Sequence, residues 1–323
     1  MPISASDEKP VHRSAVGHCI THHGELLQGA LRIGGAVTPC LVTLPRRDRI
    51  STCRLQQFEA DRLEVIPAWK SKALRAVRIV FERCGEARAT GRMTMMSEVG
   101  TGLGLGSSTA DVVAAIRASA ALVGTDLLAD EVASIAVEAE AASDPLMFGR
   151  FALLFAQRIG RILEDWGEWY PEYVVFSGRL APAGKEIDTL RLPPRTYSEA
   201  DLDLFAALVE TLRGGFRRRD PATIAAAATH SAVLNQNYVP LERFDAMHAL
   251  AEDMGALGVQ IAHSGIVGGV LFDPGDAALG AKVAALATAW LRLDAGPFEL
   301  FDTSASSGWH DDGGWKTSRR FDL

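Results

Sequence analysis

A run of spaced glycines followed by hydroxyl side chains is the segment of this sequence best suited to chemistry. Its residues are Gly100, Gly102, Gly104, Gly106, Ser107, Ser108 and Thr109. Glycine lets the backbone adopt positive φ and approach a ligand closely, whereas serine and threonine favour the first residues of a helix. The unpaired N–H groups and the dipole of a helix N-terminus attract phosphate. We therefore predict a phosphate site here, with the Ser108 hydroxyl available to Mg²⁺.

Two other glycine-rich phosphate motifs do not fit this segment. No lysine follows the glycines, so the segment is not a Walker A sequence. A loose G-x-G-x-x-G match is present, but the acidic residue that dinucleotide-binding folds carry at the end of a second strand, about 20 positions further on, is missing, because a helix is predicted over that distance. The remaining alternative is a flexible, serine-capped loop without a ligand. Four glycines directly before Ser-Ser-Thr argue against that alternative.

Acidic side chains lie in and just after the predicted helix that spans Asp130 to Ala142. Asp144 stands just after it, where a carboxylate can face the glycine loop and accept a proton. The alternative is that Asp144 and the next proline only end the helix. Mg²⁺ prefers hard oxygen ligands, which makes Glu138 or Glu140 a candidate partner of Ser108. For either glutamate the alternative is the solvated face of its helix.

Four segments of the sequence resemble one known family. Gly104-Leu-Gly-Ser-Ser108 resembles the second motif of the GHMP kinases, P-x-x-x-G-L-G-S-S, with Gly100 in place of the proline. Ser107 to Asp111 is similar to the S-S-T-A-D of the L-threonine kinases of cobalamin biosynthesis and salvage. His23 to Gly29 resembles their G-E-L-[IV]-Q-G segment, and Ala262 to Phe272 resembles their A-H-S-G segment. The motifs occur in the family order and extend over most of the chain.

The resemblance implies an ATP-dependent kinase that uses Mg²⁺ and phosphorylates the side-chain hydroxyl of a small amino acid. The best candidate reaction converts L-threonine to O-phospho-L-threonine. Asp144 matches the family aspartate of the E-P-[ST]-D segment and is the expected catalytic base. With Asp144 aligned, the family glutamate falls on Ala141; we assign Mg²⁺ to Ser108 and Glu140, leaving Glu138 open. The residues expected to bind the nucleotide are Gly102, Gly104, Leu105, Gly106, Ser107, Ser108 and Thr109.

The same resemblance suggests which residues surround the substrate. Glu25, next to a glycine, is suited to hold an ammonium or a hydroxyl group. Ser231-Ala-Val-Leu-Asn-Gln236 resembles the family segment S-A-x-x-N-Q, but the basic residue that tends to follow it is replaced near Leu241-Glu242. His22 and His23 stay outside the catalytic set because a histidine pair beside a glycine is more often structural. The expected substrate-binding residues are Gly24, Glu25, Gln28, Asn235, Gln236, His263, Ser264 and Gly265.

Several alternatives to L-threonine phosphorylation stay open. The substrate can be homoserine, serine or a modified amino acid of a specialised pathway. A different class is a catalytically inactive nucleotide-binding or sensory protein, against which the acid at position 144 argues. An NAD-binding oxidoreductase is disfavoured by the missing acidic residue noted above.

Composition limits the partners and the compartment. The chain has 323 residues, 48% apolar residues and a net charge of −7, so its field does not favour nucleic acid. No window approaches about 18 uninterrupted apolar residues, and we expect no membrane span. The four cysteines form no CxxC pair, which suggests free thiols and a cytoplasmic location. The expected partner is a small amino-acid or amino-alcohol substrate, with a homodimer as one possibility.

The elements that must position these residues occur in segregated groups of strands and helices, which favours an α+β fold. By resemblance this is the two-domain GHMP kinase fold, with an N-terminal domain like ribosomal protein S5 domain 2 and a ferredoxin-like C-terminal domain. The expected divisions are a disordered lead (1–12), an ATP-binding domain (13–170), a C-terminal domain (171–304) and a polar tail (305–323). Glycines are expected to break residues 15–42 into short strands, and residues 148–162 to form either strand or helix. Predicted helices cover 70–83, 108–123, 130–142, 198–213, 221–234, 241–257 and 277–291.

Overall fold

The computed structural model describes residues 12–86, 88–98, 106–182, 195–263, 266–293 and 295–305. Five of the expected ligand-binding residues lie outside these ranges: Gly102, Gly104, Leu105, Ser264 and Gly265. The predicted lead and tail fall almost wholly outside them as well. The described part of the glycine loop therefore begins at Gly106.

Two long antiparallel strands form the centre of the molecule. β1 (Arg13–Ile33) pairs with β2 (Ala36–Gln57) over nearly their whole length. The expectation of short strands broken by glycines is wrong, because the glycines inside β1 serve packing. A Cβ at Gly17 would overlap the backbone of the second helix at Ala114, and one at Gly29 would overlap the Phe205 ring.

Ten strands of the described residues belong to one sheet, with the order β10-β7-β9-β8-β1-β2-β4-β3, in which β5 also pairs with β2 and β6 pairs with β5. The shorter strands are β3 (Leu63–Ile66), β4 (Gly91–Ser97), β5 (Leu153–Ala156), β6 (Arg161–Asp165), β7 (Val174–Arg179), β8 (Gly258–Ile261), β9 (Val267–Phe272) and β10 (Phe298–Asp302). β3 and β4 are parallel, and the other pairs are antiparallel. At its midpoint β1 also touches β8, where Glu25 lies opposite Ile261.

The described residues contain seven α-helices. They are α1 (Ser71–Arg83), α2 (Ser107–Val123), α3 (Ala129–Glu140), α4 (Glu199–Arg218), α5 (Pro221–Asn235), α6 (Phe244–Asp253) and α7 (Leu279–Arg292). Of these, α2, α4, α5 and α6 pack directly against the sheet. α2 is rich in alanine and valine and is buried along most of its length between β1, β2 and α1. Its N-terminus is thereby held near the middle of β1.

The hydrophobic core is divided into three clusters. One joins α1, α2 and α3 to the N-terminal half of β1 and to β4. The second packs the later part of β1 and β2 against α4 and α5, and the third lies between α6, α7 and strands β7 to β9. Because β1 and β2 contribute to the first two clusters, they connect the two halves of the chain. The domain boundary at residue 170 stays a prediction.

Most predicted elements occur with small changes at their ends. Ser198 caps α4 as expected, since its hydroxyl accepts the Asp201 N–H at 3.1 Å. Residues 148–162 form part of a 3-10 turn (Pro145–Phe148) and the β5–β6 hairpin. The four cysteines are free thiols. No helix in the described ranges is both long enough and apolar enough to cross a membrane.

Candidate active site

The N-terminus of α2 has no side-chain cap. Gly106 is the N-cap residue, with a φ of 68°, and Ser107 begins the helix. A Cβ at position 106 would overlap the imidazole ring of His22 in addition to straining this φ. Glycine therefore lets the first turn of α2 lie directly against His22. The uncapped N–H groups of this turn are suited to an anion.

Glu140, the last residue of α3, faces the start of α2. It is only 4% exposed, and its two carboxylate oxygens accept hydrogen bonds from Ser108 Oγ at 2.7 Å and Thr109 Oγ1 at 2.9 Å. Burial raises the pKa of Glu140 to about 7. Glu138 lies on the surface, where it pairs with Arg83 at 2.6 Å. Of the two glutamates considered, Glu140 is the one placed beside Ser108.

Asp144 connects this cluster to β1. It precedes the 3-10 turn, and its Oδ2 atom lies 3.1 Å from Thr109 Oγ1 and 3.0 Å from His22 Nε2. Burial by itself would raise the pKa of Asp144, but the charge and the hydrogen bond of His22 lower it overall. Asp144 is thus an ionised carboxylate at neutral pH, next to the predicted phosphate site.

His22 is a site residue that the sequence reasoning left out. Its ring is buried, with Nε2 on Asp144 and Nδ1 3.6 Å from Glu25 Oε1. Burial favours the neutral ring, but the charges of Asp144 and Glu25 outweigh it and raise the pKa of His22 to about 9. An imidazolium therefore lies between the Asp144 carboxylate and the buried carboxyl group of Glu25. The signal in the sequence that could have identified His22 was a run of polar side chains inside a strand that is otherwise buried and largely apolar.

His23 faces the other way and has the structural role that the sequence suggested. Its Nε2 atom lies 2.7 Å from Ser177 Oγ, and its Nδ1 atom contacts the side-chain amide of Gln260. Burial, followed by the charge of Arg46, lowers the pKa of His23 to about 3. This neutral histidine holds β1 against β7 and β8.

Several buried polar atoms around His22 have no hydrogen-bond partner among the described residues. They are His22 Nδ1, both carboxylate oxygens of Glu25, Gln28 Nε2 and Thr43 Oγ1. Leaving a buried polar atom unpaired costs about 1–3 kcal/mol, so a cluster of them indicates a place for a polar ligand. Burial also raises the pKa of Glu25 well above its ordinary value, against the opposing charge of His22.

The same neighbourhood offers ligand atoms for a metal ion. One atom from each of His22, Glu25 and Asp144 lies within 4.8 Å of the others. With the His22 pKa near 9, however, this set already holds a positive charge at neutral pH. The oxygen atoms of Ser108 and Glu140 suit Mg²⁺ better, because Mg²⁺ prefers hard oxygen donors.

The expected substrate residues of the C-terminal half divide into two groups. His263 Nδ1 lies 3.3 Å from Gln28 Oε1, and Asn235 Oδ1 accepts a hydrogen bond from Arg195 Nη1 at 2.9 Å. Gln236 does not join them, because its amide bonds to Ala232 O and to the Leu241 N–H and so links α5 to the next segment.

Gly24 has a backbone role beside this site. Its φ is 67°, and a Cβ there would overlap Gln260 and approach the Ile261 carbonyl. Glycine at position 24 therefore allows β1 to cross close to β8, which places the next residue, Glu25, at the centre of the cluster.

Lys72 of α1 is a second residue that the sequence reasoning missed. Its Nζ atom lies 3.3 Å from Ser108 Oγ and 4.0 Å from Glu140 Oε2. It supplies a cation beside the first turn of α2, in a part of the sequence where the glycine motif contains no lysine. The nearby Lys70 has a different role, because it pairs with Asp111 of α2. No local pattern separates these two lysines.

Comparison with known proteins supports the motif analysis. Residues 71–148 match the family described as the GHMP kinases N terminal domain. A curated L-threonine kinase from Citrobacter freundii is 26% identical over 182 residues, which are 56% of this chain and 62% of that protein. The chain thus spans less than two thirds of the length of this curated relative.

Solved structures share the fold over nearly the whole chain. A mevalonate kinase from methicillin-resistant Staphylococcus aureus has a TM-score of 0.61 at 14% identity and covers 91% of this chain and 100% of its own. A homoserine kinase from Cytophaga hutchinsonii has a TM-score of 0.62 at 14% identity and covers 94% of this chain and 96% of its own. These matches confirm the predicted resemblance and the predicted fold class.

Proposed function

We propose that this chain, which carries the N-terminal domain and the fold of the GHMP kinases, transfers the γ-phosphoryl group of ATP to the side-chain hydroxyl of a small amino acid. The observation that carries the proposal is the position of Asp144, an ionised carboxylate in contact with both Thr109 of α2 and His22 of β1. L-threonine is the first candidate acceptor, because the curated relative is an L-threonine kinase. Homoserine is the second, since a homoserine kinase shares the fold.

The phosphates of ATP would bind at the N-terminus of α2. Its uncapped first turn supplies N–H groups and the positive end of the helix dipole. Lys72 adds a full positive charge within 3.3 Å of Ser108 Oγ. Phosphoryl transfer depends mainly on positioning and on neutralising charge on the transferred group, and these groups supply both.

Ser108 and Glu140 are the proposed Mg²⁺ ligands. Their oxygen atoms are 2.7 Å apart, and a hydroxyl with a carboxylate is a donor set that fits this ion. When bound, Mg²⁺ neutralises charge on the phosphate oxygens. In the protein alone, the Ser108 hydroxyl donates a hydrogen bond to Glu140. This hydrogen bond keeps both side chains turned towards the start of α2.

Asp144 is the proposed general base. The acceptor hydroxyl oxygen forms a bond to the γ-phosphorus while the bond from that phosphorus to the bridging oxygen of ADP breaks. The hydroxyl proton passes to the Asp144 carboxylate. His22 holds this carboxylate in its ionised form and orients it through the 3.0 Å hydrogen bond to Oδ2.

Glu25 is the proposed partner of the substrate ammonium group. Its carboxylate is buried, has no hydrogen-bond partner in the described part of the chain and lies beside the imidazolium of His22. An ammonium group would supply the missing donors and a compensating charge. The Gln28 side-chain amide, whose oxygen contacts His263 and whose nitrogen is unpaired, would donate a hydrogen bond to another polar group of the substrate.

The test is ADP release from ATP and Mg²⁺ with a panel of hydroxylated amino acids and amino alcohols. We expect activity with L-threonine or homoserine, and a loss of about 10²–10⁴-fold in kcat for Asp144→Asn, the range for a lost general base. Asp126→Asn, an exposed aspartate after α2, is the matched control and should retain the wild-type rate. ATP binding without ADP release from any acceptor would favour an inactive nucleotide-binding protein. A normal rate for Asp144→Asn would show that the base is another group.

A further inference from the structure

Arg195, just before α4, is a half-buried arginine whose contacts are neutral. Its Nη1 atom donates to Asn235 Oδ1 at 2.9 Å, and its guanidinium lies 6.0 Å from the centre of the Tyr238 ring. No carboxylate forms an ion pair with it among the residues that the structure describes. By contrast, Arg46 pairs with Glu299 in the same sheet region. The guanidinium of Arg195 is therefore free to bind an anion.

The packing of α5 links Arg195 to the middle of β1. The Gln28 N–H donates to Ser231 Oγ at 2.9 Å, which fixes α5 against the middle of β1. Asn235 is one turn further along α5, on the same face and about 6 Å away along the axis. Both Ser231 and Asn235 are buried. Arg195, bonded to Asn235, is thus linked through α5 to Gln28, whose side-chain amide nitrogen has no partner among the described residues.

The electrostatics of His263 agree with this position. After burial, the charge of Arg195 is the largest cause that lowers the pKa of His263 to about 4, and the charges of Asp144 and His22 also act on it. His263 is also 3.3 Å from Gln28 Oε1. The charges of Arg195 and of the proposed base therefore both act on His263, which connects Arg195 with this site.

We propose that Arg195 binds the carboxylate of the substrate, together with the side-chain amide of Gln28, and so selects substrates with a free carboxyl group. This inference rests on the proposed function. The planar guanidinium matches a carboxylate through two parallel hydrogen bonds. With Glu25 holding the ammonium group, the two charges of an amino acid fix its orientation and direct its hydroxyl towards Asp144.

Arg195 also accounts for a departure seen in the sequence. In the resembling kinases a basic residue tends to follow the S-A-x-x-N-Q segment, whereas here Leu241 and Glu242 occupy that place. Leu241 is buried in the core beside α6. Arg195, 40 residues before Asn235, supplies a cation in place of this basic residue. Its hydrogen bond to Asn235 brings it to α5, the helix that carries the S-A-x-x-N-Q segment.

The test compares an amino acid with its amide, in which the carboxylate charge is absent. Initial rates of ADP release are measured for L-threonine and L-threoninamide, or for homoserine and its amide if homoserine is the acceptor. We expect the wild type to prefer the acid. Arg195→Met should lower kcat/KM for the acid by about 10- to 100-fold, mainly through KM, the size of a lost hydrogen bond to a charged group. It should leave the amide almost unaffected, and Arg195→Lys should recover part of the loss.

Arg218→Met, which removes an exposed arginine from the end of α4, is the control and should keep the wild-type preference for the acid. Equal losses for acid and amide in Arg195→Met would show that Arg195 only steadies Asn235, and would overturn the inference while the kinase proposal stands. If no acceptor yields ADP, the kinase proposal fails. Calorimetric titration of L-threonine and homoserine then decides the inference separately. No binding to the wild type, or equal binding to Arg195→Met, would overturn it.

Discussion

The pairing of His22 with Asp144 predicts a rate that falls at alkaline pH. Asp144 keeps its charged hydrogen-bond partner, and with it its orientation, as long as His22 is protonated. Because the pKa of His22 is raised to about 9, kcat should be constant around neutrality and decrease as the pH passes about 9. Replacement of His22 by asparagine keeps a hydrogen-bonding side chain but removes the titrating charge.

The magnitude follows from the pKa of His22. A rise from 6.5 to about 9 corresponds to roughly 3 kcal/mol of preferential stabilisation of the imidazolium, at 1.36 kcal/mol for each factor of ten. If the same interaction supports the Asp144 carboxylate, His22→Asn should lower kcat at pH 7 by about 100-fold. Burial, now without its counterion, should raise the pKa of Asp144, so the acidic limb of the profile moves to higher pH.

The assay is kcat against pH from 5 to 10 with saturating ATP, Mg²⁺ and acceptor, for the wild type, His22→Asn and a control. His248→Asn is suitable as the control, because His248 lies on α6 and its nearest charged partner is Glu252. The alkaline limb should disappear in His22→Asn and persist in His248→Asn. An alkaline limb near pH 9 that survives in His22→Asn, or an unchanged acidic limb, would refute the assignment of His22 as the counterion of Asp144.

Two further predictions concern the phosphate side of the site. Lys72→Met should raise the KM for ATP or lower kcat by about 10-fold or more, the size of one charged contact. The control Lys282→Met, which removes a lysine paired with Asp276, should change neither value. An unaltered Lys72→Met enzyme would exclude a contact between Lys72 and phosphate. Glu140→Gln should raise the Mg²⁺ concentration for half-maximal rate by at least about 10-fold, while Glu138→Gln should leave it unchanged. The reverse order of these two variants would assign the ion to Glu138.

Local signals in the sequence were sufficient to predict α2, the helix whose N-terminus is the proposed phosphate site. The glycines before Ser107 and the alanine-rich run after it determine where α2 begins and how closely it packs. The same holds for Ser198, whose hydroxyl caps α4 within three residues. These features depend on neighbours in the chain, so a short window of sequence contains the information.

The strands of the N-terminal half were harder to predict. Glycines at 17, 24 and 29 are typical of strand breaks, yet all three lie within β1 because α2, β8 and α4 approach the strand there. A glycine that ends a strand and one that admits a neighbouring element look the same in a sequence. Only the packing partner distinguishes them.

In the candidate site, too, some features followed from the sequence and others only from packing. The residue types together with the family motifs marked Asp144, Glu140, Ser108 and Glu25 as candidates. Only the tertiary structure showed that His22 contacts Asp144, which is 122 residues away in the sequence, and that Lys72 contacts Ser108, which is 36 residues away. Contacts of this kind depend on which strands pair and which helix faces meet. The sequence by itself thus determined the chemical groups and the helix that presents them, whereas the charges that control those groups were decided by how the long central hairpin brings distant segments together.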